Sequence, residues 1–256
     1  IVGKLKYLLL ITKPKMAEEG LEIAYFEEFP QEEVIRFKGY DEGFRAYCEC
    51  LGINESFIPS LYEDIAKTRI STLKPAEINS LFEGTKFSAM HKNFRANTGL
   101  FFTALMQESY SNGNNLFFLN QKYIQRKTDY IGYMLKGKED APLKIRVNGD
   151  AGHSFADESE NVIAKADECG DWAGKFSRKT RIFVKKAGAY ALWQASNSVL
   201  VADFIGIDAG KGAKNCEFRT KEQRTLEKLL ESVPVGRGNK IILINENNSY
   251  KIVRNE

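Results

Sequence analysis

The sequence predicts an α+β chain, a mainly helical N-terminal domain followed by a β-solenoid, and three observations carry that reading. Gly152, Gly170, Gly188 and Gly206 stand eighteen residues apart. Short β-branched runs alternate with them: Ile145-Arg146-Val147, Val162-Ile163-Ala164, Ile182-Phe183-Val184 and Val199-Leu200-Val201. Before residue 140, by contrast, apolar residues recur at helical spacing between proline and glycine signals.

The companions of the glycines stay in register. Ala151, Cys169, Ala187 and Ile205 precede them by one position. Phe155, Ala173, Ala191 and Ala209 follow by three, and Ser159, Ser177, Ala195 and Ala213 by seven. A single rung has no partner for its apolar face, so rungs must stack, and about four are readable over residues 143–218. Coils ~4.8 Å apart leave little room at a corner, and glycine there is expected to give both space and access to positive φ. The strands require one inserted residue between the first two rungs, which aligns Ile145 with Ala164, Ile182 and Leu200.

These residues resemble the glycine-repeat domain at the carboxyl end of the glutamate synthase large subunit, a domain shared with one of the subunits of formylmethanofuran dehydrogenase. The similar stretches are Val147-Asn148-Gly149-Asp150-Ala151-Gly152-His153-Ser154-Phe155-Ala156, Cys169-Gly170-Asp171-Trp172-Ala173-Gly174 and Ala187-Gly188-Ala189-Tyr190-Ala191. The chain departs from that pattern where Asp167, Lys185, Asp203 and Leu192 replace glycines. The resemblance implies a right-handed, single-stranded β-helix with a supporting role, and it transfers no catalytic residue.

The remaining elements follow in order. Residues 1–40 mix strand-like runs at 5–11 and 21–26 with the acidic pairs Glu18-Glu19, Glu27-Glu28 and Glu32-Glu33, read as exposed charge. Leu61 and Ile65 after Pro59 predict one helix, and Pro75 opens a second that Gly84 stops. A third runs from about Lys86 to Tyr110, and the turn Ser111-Asn112-Gly113-Asn114-Asn115 breaks it. Residues 116–119 and 130–135 read as strands or a short helix leading into a linker at 136–142. The division is therefore 1–140 for the α-rich domain and 141–256 for the solenoid with its appendages. After the last rung, Thr220 and Gln223 have the spacing of a capping box, and Leu226, Leu229, Leu230 and Val233 form one apolar stripe. That helix, at 221–233, is expected to cover an end of the coil, and residues 240–254 read as a hairpin.

Bulk properties narrow the function classes. With 37 basic and 34 acidic residues the net charge of +3 falls short of a dedicated nucleic-acid binder, although Lys175, Arg178, Lys179, Arg181, Lys185 and Lys186 crowd adjacent rungs. Four cysteines without a secretory signal, and no long apolar run, predict a cytoplasmic protein and no membrane partner. Cys48 and Cys50 would point about 200° apart on a helix, so no metal site is expected there. Cys169 and Cys216 read as packing thiols. The segment 206–212 lacks the Ser or Thr of a phosphate loop and reads as repeat glycine.

Candidate ligand-binding residues are the two histidines and one arginine. His91 and Arg95 stand four apart, the spacing of a cationic pair on one helical face that receives an anion. His153 follows the first repeat glycine and lies one rung from Asp171. The expected function is a non-catalytic scaffold or protein-interaction module, with a protein partner or self-association and no cofactor. The alternative is an enzyme or a small-molecule or anion-binding protein using His91, Arg95 and His153 between the two domains. Nucleic-acid binding through the basic rungs is a weaker third reading.

Overall fold

The computed structural model describes residues 39–54, 57–67, 72–244 and 250–255. The strand-like runs and acidic pairs expected within the first 38 residues lie outside them. Helices α1 (Tyr40–Gly52), α2 (Ile58–Ala66), α3 (Pro75–Gly84) and α4 (Phe94–Ser111) form the helical part. Pro75 opens α3 as expected, because its missing N–H is one the helix leaves unbonded anyway. The buried rings of Tyr47, Phe82, Phe101 and Phe102 meet at the centre of these helices.

Beyond α4 the chain winds as a parallel β-solenoid of about five turns. Its main sheet runs β1 (Leu116–Asn120), β2 (Leu143–Asn148), β3 (Val162–Lys165), β4 (Arg181–Phe183), β6 (Val199–Val201), β8 (Glu217–Thr220), β9 (Lys240–Ile244) and β10 (Tyr250–Asn255), in that spatial order. Every neighbouring pair is parallel except β9 with β10. A second small sheet joins β5 (Lys186–Ala187) to β7 (Phe204–Ile205).

The strand register includes the inserted residue that the sequence required. Ile145 pairs with Ala164, Ala164 with Ile182 and Ile182 with Leu200. The column continues to Phe117 on one side and to Phe218 and Ile241 on the other, and every member is buried. The glycine companions at −1, +3 and +7 are buried as well, so the repeat columns are the inward-facing ones.

One more coil exists than the repeat announces. Residues 130–135, expected to be strand or short helix, are the corner of a first coil whose amides bond to the second: Tyr130 N–H to the His153 carbonyl at 2.9 Å and Met134 N–H to the Asp157 carbonyl at 2.9 Å. An irregular loop follows β1, and Thr128 rather than glycine opens the corner, so the eighteen-residue signal is missing there.

The corners explain the glycines differently from expectation. Gly170, Gly188 and Gly206 each donate to the carbonyl of the glycine one coil earlier, at 2.9, 3.2 and 3.2 Å, and the Gly206 amide is shared with the Ala187 carbonyl at 3.0 Å. None of the four has positive φ. What they supply is clearance: a Cβ on Gly188 would sit 2.6 Å from the carbonyl carbon of Gly170, and one on Gly206 2.5 Å from that of Gly188. Positive φ falls instead on every second residue just after, as at Ser154, Ala156 and Glu158, or Tyr190, Leu192 and Gln194. Each such non-glycine residue costs on the order of 1 kcal/mol. The alternation aims successive amides up and down the coil: Ser154 N–H bonds Asp171 O, Ala156 N–H bonds Ile131 O, and Glu158 N–H bonds Lys175 O, at 2.8, 2.9 and 2.8 Å. Buried backbone is thereby paired around the bend, which offsets the conformational penalty.

Both ends of the coil are covered. On the first, α4 lays the period-four stripe Arg95, Gly99, Thr103 and Gln107 against the corner of the first coil. A Cβ on Gly99 would overlap the carbonyl oxygen of Asp129, so helix and coil touch backbone to backbone. The Thr103 hydroxyl donates to Tyr130 O at 3.1 Å and accepts the Gly132 N–H at 2.8 Å. Gln107 likewise bridges the Lys136 amide and carbonyl, at 2.8 and 3.2 Å. On the far end lies α5 (Gln223–Ser232), with Leu226, Leu229 and Val233 buried. The expected capping box does not form: Thr220 ends β8, its hydroxyl donating to Asp203 O and accepting the Glu222 N–H, at 2.8 and 3.1 Å. The C-terminal hairpin is β9–β10, its turn outside the described residues, and Arg254 donates to the carbonyls of Leu230 and Val233.

Gly188→Ala should lower the unfolding free energy by about 2 kcal/mol or more, since the new methyl meets backbone that has nowhere to shift. Gly52→Ala, with nothing within 4 Å of its added Cβ, should leave the denaturant midpoint unchanged or higher. Thr103→Val, equal in shape but without the hydroxyl, strands two backbone groups of the first coil and should cost about 1–3 kcal/mol in the same measurement.

Candidate functional site at the junction of helices and coil

The position one after each corner begins a ladder of side chains. Asp129 Oδ1 accepts the His153 backbone N–H at 2.8 Å, His153 Nδ1 accepts the Asp171 N–H at 3.0 Å, and Asp171 Oδ1 accepts the Ala189 N–H at 2.7 Å. Each side chain thus holds the same position one coil on. Because Nδ1 of His153 accepts, the ring carries its proton on Nε2 in the neutral form. Nδ1 lies 3.6 Å from Asp171 Oδ2.

Arg95 enters this ladder from α4. Its Nη2 donates to Asp129 Oδ1 at 2.9 Å, while its backbone carbonyl takes the Asp129 N–H at 3.0 Å. Two of the three predicted residues, Arg95 and His153, therefore meet on one oxygen of Asp129, a residue that no motif in the sequence singles out. The third does not join them. Helix α4 begins at Phe94, which leaves His91 exposed on the preceding turn rather than on a helical face with Arg95. There its Nδ1 accepts the Asn93 N–H at 3.3 Å and its carbonyl accepts Arg126 Nη1 at 3.1 Å.

Beside the ladder runs an aromatic strip. Trp172 and Tyr190 stack with centroids 6.4 Å apart, and the His153 ring leans on Trp172 at 6.3 Å. Lys175 places its Nζ over the rings of Phe176, Trp193 and Trp172, at 4.8, 5.5 and 5.9 Å. Trp172, Phe176 and Tyr190 all hold positive φ.

Next to this strip is the most perturbed acid of the coil. Asp157 is buried, 4% exposed, and its Oδ1 has no hydrogen-bond partner among the described residues. Burial pushes its carboxyl up to about 7, with Lys175 pulling the other way, the Glu158 carboxylate adding to the rise, and the Ser154 hydroxyl opposing it. Tyr133, one coil earlier, has its phenol raised by burial and by the carboxylates of Glu158 and Asp157. The Tyr133 hydroxyl donates to Glu158 Oε1 at 3.3 Å, and its ring meets Tyr62 of α2 and Tyr130 edge-on. Sequence columns gave no sign of Asp157, because Tyr133, Lys175 and Trp193 occupy the same position on other coils.

Other reactive groups are quiet. Burial pushes the Cys169 thiol up to about 12 and raises that of Cys216. Cys48 is exposed and Cys50 buried, on different sides of α1. Among the described residues no cluster of three His, Cys, Asp or Glu is placed to hold a metal ion.

Asp157 should leave a signature in the pH dependence of stability. Between about pH 4 and 7 the folded chain keeps a proton on this group that the unfolded chain releases, so its contribution is full below the unfolded value and is lost as pH rises through about 7. Asp157→Asn, permanently neutral, should gain on the wild type as pH rises from 5 to 8, by at most about 3 kcal/mol. Parallel stability–pH curves for the two chains would show that the carboxyl is not so perturbed.

No family model, no curated protein and no solved structure matches this chain.

Proposed function

We propose that the chain is a non-catalytic scaffold, a right-handed β-helix of the kind that ends the glutamate synthase large subunit, which carries the helical part rigidly and offers its side to a protein partner. The supporting observation is the use made of its polar residues. Of the groups best suited to hold a ligand, Asp129, His153 and Asp171 are engaged in binding one coil to the next, and Arg95 in tying α4 to Asp129. A residue that accepts a backbone amide of the neighbouring coil is committed to stacking, and moving it for catalysis would open the solenoid. The basic rungs point the same way. Arg178 pairs with Glu160, Lys179 with Glu139 at 3.0 Å and Lys185 with Asp167 at 3.8 Å, which leaves little field for a nucleic acid there. Four free thiols fit a reducing compartment, the cytoplasm, as part of this reading.

One observation favours the alternative of an anionic ligand between helices and coil: the Arg95 side chain is 41% exposed although its partner Asp129 is only 14% exposed. A thermal-shift screen with nucleotides, amino acids and carboxylates separates the two readings, since a ligand at 100 times its dissociation constant adds about 2.7 kcal/mol. The scaffold reading predicts no shift from any of them, and a loss of about 1 kcal/mol in His153→Ala from the stranded Asp171 amide. A ligand that raises the melting temperature of the wild type but not of Arg95→Ala would overturn it.

A further inference from the structure

The outer face of the main sheet is distinct from the ladder and the aromatic strip. Alternation turns one set of strand residues inward, so the opposite set forms two outward columns across consecutive coils. Those columns carry Lys144, Arg146, Lys165, Arg181, Arg219 and Lys240. The acid among them is Glu217, and it is taken by Arg219. None of the ion pairs among the described residues uses Lys144, Lys165, Arg181 or Lys240. Lys144, Lys165 and Arg181 are exposed on three consecutive strands.

Between the bases stand apolar side chains. Ile163, Val199 and Val201 are half-buried and Phe183 is 36% exposed. Like charges on neighbouring strands disfavour the sheet, so folding gives no reason for the pattern. A partner does: basic columns steer an acidic surface, and the apolar rows between them give it area to bury. A second copy of the chain would bring bases onto bases. A single-stranded nucleic acid needs rings on which to stack, whereas most of the apolar rows here are aliphatic.

We propose that this face docks an acidic protein segment whose carboxylates alternate with aliphatic residues, the partner of the scaffold described above, on which reading it rests. A fluorescent 14-residue peptide alternating Glu and Val is the probe, titrated at low salt against the full chain. The triple variant K144E/K165E/R181E should bind it at least tenfold more weakly, and K144Q/K165Q/R181Q should fall between. The reversal R178E/K179E/K185E, of the same net charge but off this face, should bind as the wild type does. Equal weakening in both reversals, or a single-stranded 20-nucleotide DNA bound in place of the peptide, would overturn the assignment. Failure here with no small-ligand thermal shift leaves the scaffold reading standing, whereas such a shift counts against that reading alone.

Discussion

Backbone contact between successive coils at the glycine corner is the constraint on which the rest of this fold depends. With Gly170 donating to Gly152, Gly188 to Gly170 and Gly206 to Gly188, the coils are pinned at a separation no side chain permits. From that point the chain must turn a bend while its amides stay paired, and it does so by placing positive φ at every second residue instead of extending a strand. The columns of small residues are a consequence. Ala173, Ala191 and Ala209 are buried in the column that Phe155 begins, while the strand side buries Ile145, Ile182 and Leu200.

A stack of this kind has two raw edges, and each is finished by a helix in a different way. Helix α4 answers the first edge with hydrogen bonds, Thr103 and Gln107 serving backbone groups that a preceding coil would otherwise have served. Helix α5 answers the last with apolar cover from Leu226 and Leu229, and Val233 just past its end lies with Phe218 of β8 where a side chain on Gly210 would fall. Arg95 belongs to the first closure as much as to any site. Its ion pair with Asp129 joins the helical part to the ladder that runs through His153 and Asp171.

Residues with a single structural reason were legible in the sequence. The glycine column, its buried companions and the inserted residue between the first two coils could be read because small or apolar side chains recur at a fixed interval. The first coil could not: its strand pairs Leu116 with Lys144 after an irregular loop, and Thr128 stands where the other coils have glycine. The left-handed columns were hidden for another reason. Trp172, Phe176 and Tyr190 are not turn formers, and only the ladder between coils holds them there. Of the candidate site, the nearness of Arg95 to His153 was visible in outline. Asp157 was missed because its column holds Tyr133, Lys175 and Trp193, and Asp129 because the irregular first coil is out of the eighteen-residue register that would have aligned it with Asp171.

The central claim is that each corner glycine bonds to its predecessor one coil away. Scalar coupling across hydrogen bonds, measured on deuterated protein labelled with nitrogen-15 and carbon-13, reads this directly. The account predicts couplings from the Gly170, Gly188 and Gly206 amides to the Gly152, Gly170 and Gly188 carbonyls. The Gly206 amide, shared with the Ala187 carbonyl at 3.0 Å, should show a second coupling there; Gly170 or Gly188 amides coupled to carbonyls outside the glycine column would contradict the account.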